Sequence, residues 1–100
     1  MRPIVLLAFA GLVGLAMPAA ASSPDAWEGF REEVRVACLD ATKSSFETAV
    51  ADVDPFGSES YGLALVHGKA KGAEMDLRII CVFDKKTRKV EIGGELPPAE

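Results

Sequence analysis

The sequence predicts an α+β domain: one amphipathic helix packed on an antiparallel sheet of three or four strands, pinned by one disulfide. Three observations predict it. Trp27, Phe30, Val34, Ala37, Cys38 and Ala41 recur at steps of three and four, with Glu28, Arg31, Glu32 and Arg35 on the other side. Met75, Leu77, Ile79, Cys81 and Phe83 alternate with period two, with Asp76 and Arg78 on the reverse face. Finally, the only two cysteines fall one on each of these apolar faces, so a bridge between Cys38 and Cys81 fastens the helix across the sheet.

An export leader over 1–21 precedes the domain. Arg2 gives the positive start, 4–17 is an uncharged apolar stretch, and Pro18 breaks it. Ala19, Ala20 and Ala21 then supply the small residues a signal peptidase reads, which places cleavage between Ala21 and Ser22. Read as an uncleaved anchor, the same stretch is barely long enough to cross a bilayer, and Gly11, Gly14 and Pro18 weaken it. No cysteine follows it until Cys38, so a lipid attachment point is missing. The mature chain is expected to be a small soluble protein of the bacterial periplasm, with secretion as the alternative. The domain is expected over 22–96 and a flexible tail over 97–100.

Such a compartment favours the disulfide. Closing a loop of about 44 residues removes enough unfolded-chain entropy to stabilise the fold by ~4 kcal/mol, comparable with the whole stability of so small a core.

The helix begins sharply. Ser23 is placed to cap it and Pro24 suits its first turn, where a missing N–H costs nothing. Asp25 and Glu28 favour the positive end of the helix dipole, and the apolar stripe carries the helix to about Lys43. The stretch 46–54 supports two readings: Thr48, Val50 and Val53 favour a strand, whereas Glu47, Ala49 and Ala51 extend a helix. Asp54, Pro55, Phe56, Gly57 and Ser58 form a turn on either reading. A strand follows from Tyr61, with Tyr61, Leu63 and Leu65 on one face and the small Gly62 and Ala64 opposite.

A loop is expected over 68–72, and then the strand that carries Cys81. A tight reversal at 84–87 returns the chain as a last strand from Arg88 to Ile92. An even number of residues in that reversal puts Val90 and Ile92 on the face of Ile79, Cys81 and Phe83. Gly93, Gly94, Pro97 and Pro98 close the fold.

Composition excludes some functions. The chain has 11 basic and 15 acidic residues and a net charge of −4. Losing Arg2 with the leader makes it one unit more acidic, which disfavours nucleic acid and anionic membranes as partners. The one basic run, Lys85, Lys86, Arg88 and Lys89, lies in the predicted reversal and reads as solvated turn charge.

Catalytic and metal sets are not legible. His67 is the only histidine, without a marked nucleophile near it in sequence, and is expected at a strand end near the surface; Ser58 and Ser60 are the candidates the fold would have to bring to it. Asp52, Asp54 and Gly57 match positions one, three and six of a calcium loop, but Phe56 and Leu63 stand where oxygen ligands are required. Gly93-Gly94 and Gly68-x-x-x-Gly72 lack the strand–loop–helix setting of a phosphate cradle. No cofactor and no metal are expected.

The remaining candidate is Phe56, an aromatic on a turn between Pro55 and Gly57, either an exposed anchor for a partner or a cap folded onto the core; Tyr61 would extend such a patch. The helix-then-hairpins order, closing with Asp84-x-x-Thr87-x-x-Val90, resembles PepSY-type and cystatin-like small secreted domains. That resemblance implies inhibitory or accessory binding; it covers seven residues and transfers no site. The expectation is therefore a non-enzymatic envelope protein that binds another protein. The alternative is a binder of a small ligand or metal ion between helix and sheet, and a hydrolase built on His67 comes third.

Overall fold

The computed structural model describes residues 23–98. The expected leader and its cleavage point at Ala21 and Ser22 lie outside the described residues, as do the last two residues of the chain. Helix α1 spans Pro24–Thr42, and a single 3₁₀ turn, Lys43–Ser45, leads into β1, Phe46–Val53. Strands β2 (Tyr61–Ala70), β3 (Asp76–Asp84) and β4 (Val90–Leu96) follow. All four strands pair antiparallel in sequence order, β1-β2-β3-β4, so the sheet is a meander with α1 across one face. The predicted α+β class and disulfide stand, with four strands rather than three. Among the described residues no helix is long and apolar enough to cross a membrane.

The start of α1 is as the sequence dictates. Ser23 is extended, its Oγ accepts the Ala26 N–H at 3.2 Å, and Pro24 occupies the first turn. Its stripe differs at the far end. Val34, Cys38 and Thr42 are fully buried, whereas Ala41 is exposed. Steps of four keep a helix row nearly in line, so the row through 34 and 38 reaches 42. The buried Thr42 hydroxyl donates to the Cys38 carbonyl at 2.8 Å, which satisfies the polar atom that hid this position from a hydrophobicity reading.

The ambiguous segment is a strand. Phe46 and Ala51 are buried under α1, and β2 supplies backbone partners from Phe46↔Ala70 to Val53↔Ala64. Tertiary pairing overrides the helix preference of Glu47, Ala49 and Ala51.

Strand β2 outruns its expected end, so 68–70 is ladder rather than loop. Gly68 makes this possible: a Cβ there would strike the Thr48 carbonyl oxygen, and Ala49 Cα would be 2.9 Å away, beside the register shift in β1. Gly93 and Gly94 likewise lie inside β4 rather than beyond it. Met75, expected to lead β3, sits in the turn before it and is exposed. At the β3–β4 reversal, 85–88 is a four-residue loop closed by Asp84, whose N–H donates to the Lys89 carbonyl and whose carbonyl accepts the Arg88 N–H, both at 2.8 Å. Arg88, expected to begin the last strand, adopts φ 67° in this loop instead. The predicted register holds, with Cys81 opposite Ile92 and Phe83 opposite Val90.

The core lies between α1 and the sheet. Val34, Cys38, Phe46, Val66, Leu77, Ile79, Cys81 and Phe83 are its larger members. Each full burial of a Val-, Ile- or Phe-sized side chain contributes about 1.5–3 kcal/mol. The Cys38–Cys81 bridge has Cα atoms 5.9 Å apart, and both residues are completely buried. On β2 the face toward the helix is Gly62, Ala64 and Val66, not Tyr61, Leu63 and Leu65. Small residues win that face because the helix lies close: a Cβ on Gly62 would be 2.7 Å from Val34 Cγ2 and 3.0 Å from Phe30 Cζ.

Candidate functional site

The helix covers one face of the sheet. On the other, alternation places Tyr61, Leu63, Leu65, His67 and Lys69 of β2 beside Asp84, Val82, Ile80, Arg78 and Asp76 of β3, in that pairing order. Leu63, Leu65, Ile80 and Val82 form an apolar block at its centre. Val50 lies beside His67 and Leu96 beside Arg78, towards one end, and Tyr61 lies at the other. Val50 is 56% exposed, Ile80 51% and Tyr61 45%. Tyr61, Val82, Asp84, Thr87, Lys89 and Glu91 line a shallow groove at the upper end.

Leu63-Ala64-Leu65-Val66 and Ile79-Ile80-Cys81-Val82-Phe83 are continuous apolar runs on the two central strands, the pattern of strands covered on both faces. Among the described residues one layer covers one face. The run is visible in the sequence, where Asp76 and Arg78 make the reverse face of β3 polar at one end while Ile80 and Val82 make it apolar at the other.

The Phe56 turn makes a second, separate surface. Phe56 is 55% exposed, yet its ring meets Trp27 edge-to-face at 5.0 Å, and Trp27 meets Phe30 the same way at 5.6 Å. The two readings of Phe56 are thus combined: it folds back onto the start of α1 and keeps half its surface in solvent. Arg31 donates to the Pro55 carbonyl at 3.0 Å, with its guanidinium 5.9 Å from the Phe56 ring. Lys85 Nζ donates to the carbonyls of Phe56 (3.0 Å) and Ser58 (2.7 Å) and lies 5.5 and 5.2 Å from the Trp27 and Phe30 rings. Phe56 therefore belongs to the helix side, while Tyr61 belongs to the open sheet face. Sequence proximity joined them; strand alternation separates them.

The basic run divides in a similar way. Lys85 is held in this corner, Arg88 meets Glu33 at 3.4 Å and lies 5.6 Å from the Phe83 ring, and Lys86 and Lys89 are exposed. Solvated turn charge describes Lys86, Lys89 and the exposed Arg88; Lys85 departs from it.

His67 lies within β2 rather than at its end, and its Nε2 is 2.9 Å from Asp52 Oδ2 across the β1–β2 ladder. Ser58 and Ser60 sit beyond the opposite end of the strand, so the extended chain from Ser60 to His67 spans about 20 Å. Ser58 Oγ is engaged with the Tyr61 backbone. The fold does not bring these serines to the histidine.

The calcium-like acids are also divided. Asp52 faces His67, whereas Asp54 Oδ1 accepts the N–H groups of Gly57 (2.9 Å) and Phe56 (3.1 Å). Among the described residues no three His, Cys, Asp or Glu side chains are grouped to hold a metal ion. Around Gly62 the seam between helix and sheet is filled by Val34, Phe30 and Phe83, whereas towards the end of α1 Leu39, Lys43, Phe46, Ala49 and Lys71 line an open cleft.

Two exposed carboxylates set an acid limit on the turns. The N–H groups of Gly57 and then Phe56, with Lys85 nearby, hold the Asp54 pKa below its ordinary 3.8. The N–H groups of Thr87 and then Lys86 do the same for Asp84. Both are therefore more acidic folded than unfolded. Their stabilisation is complete above the ordinary value and is lost as pH falls through the lower folded values. The melting temperature is expected to be insensitive to these groups from neutrality to about pH 5 and to fall below about pH 4. Asp54→Asn and Asp84→Asn should make that acid fall shallower in thermal melts followed by circular dichroism. An unchanged acid limb in the double variant would assign it to other groups.

No known protein family, curated protein or solved structure matches this chain.

Proposed function

We propose that this chain is a small exported accessory protein of the bacterial envelope, non-enzymatic, and that it works by binding another protein through the open face of its sheet. The carrying observation is that β2 and β3 are apolar on both faces while the helix covers one. Exposed Ile80 and Tyr61 and half-buried Leu63, Leu65 and Val82 lie side by side, with exposed Val50 beyond the Asp52–His67 pair. Contiguous apolar surface of that kind marks protein contact sites. The leader sequence, the disulfide and the acidic balance support an envelope setting and a protein partner over a nucleic acid.

The reading predicts a face-specific crosslinking pattern. A photo-reactive amino acid in place of Ile80 should give discrete adducts in cells that export the chain. The same group at Val36, 56% exposed on the helix, should give none. Equal adduct yields at the two positions, or no adduct at Ile80, would sink the proposal.

A further inference from the structure

Trp27, Gly29, Phe30 and Glu33 of α1, with Lys85 and Arg88 of the β3–β4 loop, line an open cleft of about 710 Å³, within the range of small-molecule sites. We infer that this cleft binds a small organic carboxylate, its ring against Trp27 and Phe30 and its acid group on the Arg88 guanidinium. The cleft lies away from the open sheet face, and the inference stands or falls apart from the reading of that face.

Two lining residues go against the local preferences of the elements that carry them. Gly29 lies inside α1, where only proline is less favourable than glycine. Packing does not ask for it, because a Cβ at Gly29 would meet no heavy atom within 4 Å. Its missing side chain instead leaves the cleft open. Arg88 has φ 67°, a left-handed conformation that glycine or asparagine adopts more readily. What arginine supplies there is its side chain, with Nη2 3.4 Å from Glu33 Oε1. Local preference is thus set aside on both walls of one cleft, the pattern of a functional site.

The walls select an anion. Lys85 Nζ lies 5.5 and 5.2 Å from the Trp27 and Phe30 rings, so the cation position beside both aromatics is taken and a second cation would be repelled. Asp84, at the start of the loop, turns its carboxylate to the N–H groups of Lys86 and Thr87. Asp25 and Glu28 are exposed on the first turns of α1 and do not line the cleft. Glu33 is the acid that does, and its contact with Arg88 joins two side chains that are 42% and 55% exposed. Exposed pairs of this kind hold weakly. Besides Glu33, the guanidinium reaches only the Lys85 carbonyl, at 3.5 Å, which leaves N–H donors free. Their planar fork suits a carboxylate held by two parallel hydrogen bonds. Half-buried Trp27 and Phe30 offer apolar surface to the ring.

Trp27 is the only tryptophan in the chain, so its fluorescence reports the site directly. The test titrates the exported, disulfide-bonded protein with phenylacetate and with glucuronate, an aromatic and a sugar ring bearing the same acid group. Phenylacetamide, glucose and acetate lack either the charge or the ring. A saturable change is expected with at least one ring acid, with a dissociation constant of about 1 mM or below, and at least ~10-fold weaker binding of its controls. Gly29→Ala should raise the melting temperature by roughly 4–8 °C, and Arg88→Gly should leave it at or above that of the wild type. Each should nevertheless weaken binding at least ~10-fold, since stability and binding make opposite demands at these positions. Lys86→Ala, which removes a turn charge outside the cleft, should leave binding unchanged.

No saturable response to either ring acid up to about 20 mM, well past the expected constant, overturns the inference. Equal binding of an acid and its uncharged counterpart, or wild-type affinity in Gly29→Ala or Arg88→Gly, does the same. A lower melting temperature in both variants makes the two residues structural and also overturns it.

Discussion

Replacing Cys38 and Cys81 together by Ala is expected to lower the unfolding midpoint by roughly 20 °C or more, enough to leave the chain largely unfolded at growth temperature. The bridge closes a segment with a sequence separation of 43. In the chain-entropy account a loop of that size stabilises by ~4 kcal/mol. For a domain of this length, each kcal/mol corresponds to about 4–8 °C. Packing adds to the loss, because both sulfurs are fully buried between Val34 and the β3 core, and truncation leaves a void there. Reduction of the wild type in mild denaturant should reproduce most of the loss without any change of side chain. A melting temperature within ~5 °C of wild type for the double variant would mean that the helix is held by apolar contacts alone.

Gly62→Ala is the second large expectation, and a less obvious one. Alanine normally stabilises an exposed strand glycine by reducing unfolded freedom, a gain of about 0.4–1 kcal/mol. Here the added Cβ would meet Val34 Cγ2 at 2.7 Å, Phe30 Cζ at 3.0 Å and Phe83 Cβ at 3.3 Å. Phe83 and Val34 are fully buried and have nowhere to go. Overpacking of this kind costs about 1–3 kcal/mol, so the net effect is a loss of roughly 1–2 kcal/mol, or about 5–15 °C. The partner is identifiable. Val34→Ala is destabilising alone, because it opens a cavity, but it should tolerate Gly62→Ala with a favourable coupling of at least ~1 kcal/mol in a double-mutant cycle. Additive losses would show that the helix shifts bodily rather than clashing at Val34.

Local structure was legible wherever one side chain or one periodicity decides it. The Ser23-Pro24 start of α1, the Asp84 reversal and the Cys81 face of β3 depend on capping, turn chemistry and alternation, which operate within a few residues. The 46–54 segment was not, because its own preferences are balanced and β2 supplies the deciding partners from 11 to 24 residues away. Hydrophobicity alone places Ala41 in the core and leaves Thr42 out, because burial of a threonine depends on its hydroxyl finding the Cys38 carbonyl. The candidate site was half legible. Sequence leaves Phe56 open between an exposed anchor and a cap on the core and groups Tyr61 with it; their separation onto opposite sides of the sheet follows from strand alternation and the fold of the 54–60 turn.

The sequence by itself determined the α+β class, the disulfide pairing, the helix start and the register of the last hairpin, since each follows from spacing within an element or from having only two cysteines. Only the tertiary structure decided which face of β2 meets the helix. Apolar count favours Tyr61, Leu63 and Leu65, yet the close approach of Val34 and Phe30 requires Gly62 and Ala64 there. The larger side chains are therefore turned to the open face. Packing distance outranked hydrophobicity, and that choice created the surface through which this protein is proposed to act.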